Sequence, residues 1–144
     1  LGGNQTLIER NLTSNPTQRA RILWFSGSKF YFEVIDASSG VNSVISSSTL
    51  PAGSWTHIAV VGNRTGNSLK LYINGNLEDS DNLDITHDLD SAMLIGSRVD
   101  GSANFPGTID EVKIWKTTRS ASQIKDDSLK KGGLVWSFVD LEPT

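Results

Sequence analysis

Few side chains in this sequence have the types and spacings that catalysis requires. The chain contains two histidines, His57 and His87, and no cysteine. Two histidines do not supply the protein ligands of a zinc site. A nucleophile–histidine–acid triad would draw on distant serines, and no Gly-x-Ser-x-Gly turn is present to hold one. We therefore expect His57, in the middle of a predicted strand, to be a hydrogen-bonded histidine at a sheet surface.

Aromatic side chains offer a different chemistry, because sugar rings bind to aromatic platforms that have polar groups beside them. Four aromatic residues fall on strand positions that face away from the predicted core: Trp24, Tyr31, Tyr72 and Trp115. Asn74 and Glu33 are their polar neighbours. Each of the four is equally suited to covering the second face of a sheet. The sequence thus predicts ligand binding by these four residues and leaves simple coverage of the sheet as the alternative.

These side chains must be positioned by strands, and the strongest strand signal is the stretch 55–76. Apolar and polar residues alternate over residues 55–61 and again over 69–74, which is the period of a half-buried strand. A segment rich in Gly and Asn connects the two runs. Asn74-Gly75 then predicts a type I′ turn into a third strand that begins near Leu77. The stretch predicts a long antiparallel hairpin with Trp55 in the core.

The remaining pattern predicts more short strands, at residues 6–10, 20–25, 29–35, 41–46, 92–96, 108–115 and 134–141. Phe30, Phe32 and Trp136 are expected in the core. Residues 11–19, 78–90 and 97–106 are predicted to be loops, the second because it is rich in acidic residues. Ser120 and Gln123 fit a capping box, which predicts one short helix. Many short strands with one helix favour a two-sheet antiparallel sandwich.

Composition excludes several classes of protein. At 144 residues the chain is long enough for one domain with a substantial core. Its net charge of −3 gives no basic surface for nucleic acid or for an anionic membrane. No apolar run approaches the roughly 18 residues of a membrane span. The chain begins at Leu1 without an apolar leader, and we interpret it as a single domain over residues 1–144, excised from a longer protein.

Two groups of residues resemble the laminin-G-like, concanavalin A-like jelly-roll superfamily. The first is Leu50-Pro-Ala-Gly-Ser-Trp-Thr-His-Ile-Ala-Val-Val, followed by Leu69-Lys-Leu-Tyr-Ile-Asn-Gly. The second is Leu94-Ile-Gly-Ser, followed by Phe105-Pro-Gly-Thr-Ile-Asp-Glu-Val-Lys-Ile-Trp. The resemblance covers residues 6–124 and implies a jelly-roll sandwich. Family domains commonly start with an additional strand that this chain lacks, and we expect residues 134–141 to take its place rather than to begin another domain.

The resemblance also implies a possible calcium site. In calcium-binding relatives such as the pentraxins, a loop ahead of this strand supplies metal ligands, and Asp100 and Asn104 match it by position. The alternative is a plain turn capped by Asp100. A second acidic group lacks the spacing of a calcium-binding loop and consists of Asp79, Asp81, Asp84, Asp88 and Asp90. Calcium is the one cofactor that the sequence suggests.

Glucanases that share this fold carry alternating acidic residues, so that two carboxyl groups point to one face of a strand. Here Asp110 and Glu111 are adjacent, and a strand would send them to opposite faces. The resemblance therefore implies a non-catalytic recognition module rather than a glycosidase. Its expected partner is a glycan or a cell-surface or matrix protein, and its expected location is extracellular or on a cell surface. A structural or adhesive module of a surface, fibre or viral protein is the second hypothesis.

Overall fold

The computed structural model describes residues 5–12, 15–25, 29–36, 40–49, 51–84, 93–98, 100–130 and 134–139. For residues 11–12, 15–25 and 134–139 it describes the backbone alone. These parts of the chain contain ten strands and one helix: β1 (Gln5–Leu12), β2 (Asn15–Phe25), β3 (Lys29–Ile35), β4 (Val41–Ile45), β5 (Ile58–Asn63), β6 (Ser68–Ile73), β7 (Asn76–Asp81), β8 (Met93–Ile95), β9 (Lys113–Trp115), α1 (Ala121–Leu129) and β10 (Leu134–Val139).

The strands form two five-stranded sheets that pack face to face. The first sheet has the order β4-β3-β2-β1-β8, and the second has the order β7-β6-β5-β10-β9. The main core lies between them, with Ile8 and Phe32 from the first sheet against Val60 and Leu71 from the second. None of these four side chains is exposed to solvent. The prediction of an all-β, two-sheet jelly-roll sandwich with one short helix is confirmed.

The central hairpin is also confirmed. Strands β5 and β6 pair antiparallel with Val60 opposite Leu71, and both residues face the core. Asn74 and Gly75 both have positive φ, at 49° and 77°, which is what a type I′ turn requires. A side chain at Gly75 would clash with α1, since its Cβ would lie 2.5 Å from Ser128 Oγ. Glycine at position 75 is therefore needed both for the turn and for the close packing of α1.

Strand β10 pairs parallel with both of its neighbours, in contrast to the otherwise antiparallel sheets. Its residue Trp136 lies opposite Val60 of β5 and Ile114 of β9. Parallel neighbours need a long crossover connection, and α1 provides it between β9 and β10. The C-terminal strand thus joins the second sheet of this sandwich, as expected. The pattern of single residues does not distinguish parallel from antiparallel pairing, which is why the sequence did not predict it.

Two boundary predictions are wrong in the first half of the chain. Residues 11–19 were expected to form a loop, but β1 extends to Leu12 and β2 begins at Asn15. Pro16 lies where the register shifts from Leu12–Asn15 to Asn11–Arg19, so the residues between have no direct partner. A proline is tolerated at such an irregularity because no ladder hydrogen bond needs its missing N–H. One of the three predicted loops is therefore largely strand.

The acidic segment 78–90 is likewise not all loop, because its first four residues belong to β7. We call Glu78, Asp79 and Asp81 the β7 carboxylates. Both β4 and β7 are edge strands, one from each sheet. Asp79 accepts a hydrogen bond from the Ile45 N–H at 2.9 Å, and Asp81 accepts one from the Ser43 N–H at 3.2 Å. The carboxylates therefore satisfy the free backbone donors of an edge strand, which would otherwise be open to pairing with another chain.

The predicted strand over residues 108–115 is shorter than expected. Only Lys113–Trp115 forms β9. Glu111 has φ of 53°, a left-handed conformation that interrupts an extended strand, and its N–H donates to Asp110 Oδ1 at 2.8 Å. The strand prediction used alternation alone, which does not detect this local turn.

The capping box predicted for the helix is present. Ser120 Oγ accepts from the Gln123 N–H at 3.2 Å, and Gln123 Oε1 accepts from the Ser120 N–H at 2.9 Å. Within the part of the chain that the structure describes, no helix has the length and apolar character needed to cross a membrane.

Candidate binding pocket beside Trp55

Helix α1 covers two of the four aromatic residues predicted to bind a ligand. Tyr72 is 5% exposed and Trp115 is partly buried, and both pack in a second apolar cluster with Ile124 of α1. The Arg119 guanidinium lies 4.2 Å from the centre of the Trp115 ring. The prediction that these residues face away from the main core is correct. Tyr72 is therefore covered by the protein and Arg119 lies over the Trp115 ring, and a ligand-binding role for these two residues stays a prediction.

The other two aromatic candidates lie in the first sheet. Tyr31 is half-buried in β3, where it is paired with Ile45. Trp24 is paired with Gln5 and Phe30, and its side chain lies outside the described part of the structure. A ligand-binding role for this pair stays a prediction.

Asn74 and Glu33, the two polar residues proposed beside these aromatics, lie among other groups of the protein. Asn74 Oδ1 accepts from the His57 N–H at 2.9 Å and thereby fixes the turn after β6. Glu33 is 6% exposed in β3, opposite Arg21 and Ser43. We therefore do not place a sugar contact on either residue.

The loop that contains Asp100 and Asn104 is folded onto itself and onto β1. Asp100 Oδ1 accepts from both the N–H and the hydroxyl of Ser102, at 2.8 and 2.5 Å, and Oδ2 faces Arg98 at 3.8 Å. Hydrogen bonds from Ser102 and the charge of Arg98 hold the pKa of Asp100 below its ordinary value. Asn104 is exposed and forms a backbone bridge with Thr6.

Calcium requires six to eight oxygen ligands at one point. In this loop a single carboxylate is already turned towards protein donors, so the described side chains do not by themselves form a calcium cage. Across the described residues, no group of three or more His, Asp or Glu side chains is placed to hold a metal ion. Asp79 and Asp81 hold the β4 edge, and Asp84 bonds to Asn42 at 3.0 Å. Asp88 and Asp90 lie outside the described residues, and calcium binding stays a prediction.

Asp110 and Glu111 do not form a catalytic pair of the glucanase type. Both are exposed, and they lie in the turn ahead of β9 rather than in a strand. Glu111 pairs with Lys113 at 3.1 Å. Neither carboxyl group lines the pocket described below.

His57 is buried, and this corrects the expectation of a hydrogen-bonded surface histidine. It is 4% exposed, and neither ring nitrogen has a hydrogen-bond partner. His57 directly precedes β5, and the charges that act on it, Asp127 on α1 and Lys113 on β9, indicate that it lies near the helix-covered face of the second sheet. Burial lowers the pKa of His57; the charge of Asp127 on α1 opposes this, and that of Lys113 on β9 adds to it. The imidazole is therefore neutral at pH 7 and has no access to a substrate.

We expect the free energy of unfolding to fall as the pH drops from 7 to 5, because the unfolded state then binds a proton that buried His57 resists. Because the pKa of His57 is lowered in the folded state, the free energy of unfolding is highest above the ordinary value of 6.5 and declines as the pH falls below it. His57→Leu should flatten this slope in urea-unfolding measurements. An unchanged slope in His57→Leu would show that other groups cause the pH dependence.

Trp55 is the residue that the sequence misplaced most clearly. It was expected in the core, but it is 61% exposed. Strand β5 begins only at Ile58, and residues 51–57 approach it through a turn. Alternation from the strand was thus extended over three residues that are not part of it. The signal that could have found this is the Leu50-Pro-Ala-Gly-Ser turn sequence immediately before the tryptophan.

Trp55 lines a pocket of about 390 Å³, together with residues 53–54 and 105–108. This volume is at the small end of the range for ligand sites, which is roughly 300–1,000 Å³. The lining residues include the ring-bearing Trp55, Phe105 and Pro106 and the polar residues Ser54 and Thr108. None of the lining residues carries a charge. The pocket therefore combines an exposed aromatic side chain with uncharged polar residues.

The wall opposite the tryptophan is held by the protein's main core. Phe105 packs against the main core cluster, and its N–H donates to the Gly96 carbonyl at 2.8 Å. A Cβ atom at Gly107 would lie 2.5 Å from the Phe105 ring, so glycine is required for the ring to lie across this loop. One side of the pocket is therefore fixed, whereas Trp55 projects into solvent.

Comparison with known proteins supports the fold described above. The family model described as the concanavalin A-like lectin/glucanases superfamily, Laminin_G_3, matches residues 2–125. No curated protein matches the chain.

Three similar solved structures come from binding or surface proteins. The CBM40 of the Ruminococcus gnavus IT-sialidase, bound to α2,6-sialyllactose, is 12% identical with a TM-score of 0.54, over 73% of this chain and 63% of that one. The botulinum neurotoxin type G receptor binding domain is 12% identical with a TM-score of 0.56, over 91% and 33%. An S-layer domain-containing protein from Clostridium thermocellum is 25% identical with a TM-score of 0.46, over 88% and 63%. The present chain thus spans less than two thirds of each of these chains.

Proposed function

We propose that this chain, which belongs to the concanavalin A-like lectin/glucanases superfamily, is a non-catalytic module that binds glycans in the pocket beside Trp55. The observation that carries the proposal is the 61% exposure of a tryptophan in a pocket that is also lined by Ser54 and Thr108. An exposed apolar surface rimmed by polar residues is typical of a ligand-binding groove. Tryptophan is also among the residues that contribute most to binding where it is buried by a ligand.

Several structural neighbours support binding rather than catalysis. They include a sialyllactose-bound CBM40 and a toxin receptor binding domain. At 12% identity the likeness concerns the fold, and the fold hosts unrelated functions. The pocket residues lack a carboxyl group that could act as acid or base, which favours recognition over hydrolysis. We further propose that the parent protein presents this module outside the cell or on its surface.

A structural or adhesive module is the second candidate, and one observation favours it. That hypothesis expects aromatic residues of the outer sheet face to be covered, and Tyr72 and Trp115 are packed under α1. The exposed Trp55 distinguishes the two candidates, since a purely structural module gives no reason for a neutral pocket around it.

Trp55→Ala is expected to weaken glycan binding by at least tenfold, or about 1.4 kcal/mol, because the substitution removes the ring against which a sugar packs. The measurement is binding of the purified chain to an array of immobilised neutral and acidic glycans, followed by calorimetry with the best soluble ligand. Leu77→Ala is the matched control, since Leu77 is 53% exposed but lies in β7, outside the pocket lining. Its affinity should equal that of the unchanged chain. Failure of the unchanged chain to bind any glycan, or equal binding by Trp55→Ala, would contradict the proposal.

A further inference from the structure

We infer that the Trp55 pocket takes a neutral sugar and rejects sugars that carry a carboxylate. This inference rests on the proposed function and adds the chemical class of the ligand. It is not transferred from the structural neighbours, because the CBM40 that resembles this chain was solved with sialyllactose, an acidic glycan. It follows from the chemistry of the residues that line this pocket.

The pocket offers an apolar surface and hydroxyl groups but no charge. Trp55, Phe105 and Pro106 supply the apolar part of the lining, which suits the C–H groups of a pyranose. Ser54 and Thr108 can donate hydrogen bonds to sugar hydroxyl groups and accept hydrogen bonds from them. A carboxylate placed here would lose water without gaining a cationic partner, which is unfavourable. A neutral sugar has no such cost.

Cationic side chains on the segments next to the pocket face carboxylates of the protein. Arg98 lies between Glu9 and Asp100, with nitrogen–oxygen distances of 3.9 and 3.8 Å. Lys113 pairs with Glu111 at 3.1 Å. A carboxylated ligand would compete with these carboxylates for its cation. The net charge of −3 further disfavours an anionic ligand at long range.

The volume of the pocket indicates that the ligand is a small sugar or the end of a longer glycan. About 390 Å³ is near the lower limit for ligand sites, and the space is bounded on one side by the fixed Phe105 wall. A terminal neutral sugar meets both the size and the charge of this site.

The test compares matched pairs of sugars that differ in one group. The probes are the methyl glycosides of glucose, galactose and mannose against their uronic acids, and lactose against α2,6-sialyllactose. Affinity is measured by calorimetry and by tryptophan fluorescence, at low and at high salt. We expect the neutral member of the bound pair to bind at least tenfold more tightly, with little change in affinity on adding salt.

A variant reverses the expected preference. Thr108→Lys places a cation at the pocket rim, where Thr108 is exposed. It should raise the affinity for the uronic acid relative to that for the neutral sugar at low salt, and added salt should remove this gain. Equal or tighter binding of the acid by the unchanged chain would overturn the neutral-sugar inference and leave glycan binding standing. Binding of neither member of any pair would overturn both.

Discussion

Replacing Glu78 by glutamine is expected to lower the free energy of unfolding by about 2 kcal/mol at pH 7, because hydrogen bonds to a charged acceptor contribute about 1.5–3 kcal/mol. The Glu78 carboxylate accepts four hydrogen bonds from two residues that follow β4. The N–H groups of Ser47 and Ser48 lie 3.1 and 2.9 Å from Oε2, and the Ser48 hydroxyl lies 2.8 Å from Oε1. The Ser47 hydroxyl also donates to Oε2. A glutamine side chain would place its NH2 group, which is a donor, against the serine N–H and hydroxyl donors that bond to one of the carboxylate oxygens.

The same contact predicts a pH dependence. Desolvation raises the pKa of Glu78, but the hydrogen bonds from Ser47 and Ser48 outweigh it, so that the pKa lies below its ordinary value of 4.5. A lowered carboxyl pKa means that the stability is present above the unfolded-state value and is lost as the pH falls through the folded-state value. Urea unfolding from pH 6 to pH 3 should show this loss in the unchanged chain and a smaller loss in Glu78→Gln.

Asp126→Asn is the matched control, because it removes the same charge from an exposed position on α1. We expect it to change stability by less than about 0.5 kcal/mol, as surface substitutions usually do. If Asp126→Asn destabilised the chain as much as Glu78→Gln, the effect would come from net charge and not from the contact between the two sheet edges.

The β7 carboxylates show why part of the fold escaped prediction from sequence. A run rich in acidic residues is typical of a solvated loop, and composition alone gives that interpretation. Here the carboxylates of Glu78 and Asp79 bond to backbone donors about 30 residues earlier in the chain. Such a contact depends on the meeting of two sheet edges, and no local pattern encodes it. The central hairpin was predictable because alternation and the Asn-Gly turn are both local.

The candidate site shows the same limit of prediction from local sequence patterns. Tyr72 and Trp115 were placed on the correct face from alternation, but what covers that face depends on where α1 docks. Trp55 was predicted to be buried because the alternating pattern of β5 was extended to it. Its exposure follows from the turn that precedes β5 and from the position of the loop around Phe105. The family resemblance predicted the sandwich correctly, but the position of the pocket required the structure.

Ile124→Ala is expected to have the largest effect on stability, a loss of about 3 kcal/mol within the range of 2–5 kcal/mol measured for such changes. Ile124 is completely buried and is the contact through which α1 packs on Ala59, Val61 and Tyr72. Truncation leaves a cavity between the helix and the second sheet. Urea unfolding measures the loss, and Ile124→Val should give about 0.5–1.5 kcal/mol if the full truncation prevents folding.

Leu129→Ala provides the control on the same helix, because Leu129 is 72% exposed and its loss should cost less than about 0.5 kcal/mol. Equal destabilisation by the two alanine substitutions would show that helix propensity, and not the packing of Ile124, determines the effect. The glycan affinity of folded Ile124→Val then tests which aromatic residues bind the ligand, Trp55 or the pair Tyr72 and Trp115. Binding at Trp55 should be unchanged, since Ile124 does not line that pocket. An altered affinity would instead indicate that the ligand reaches Tyr72 and Trp115 when α1 is loosened.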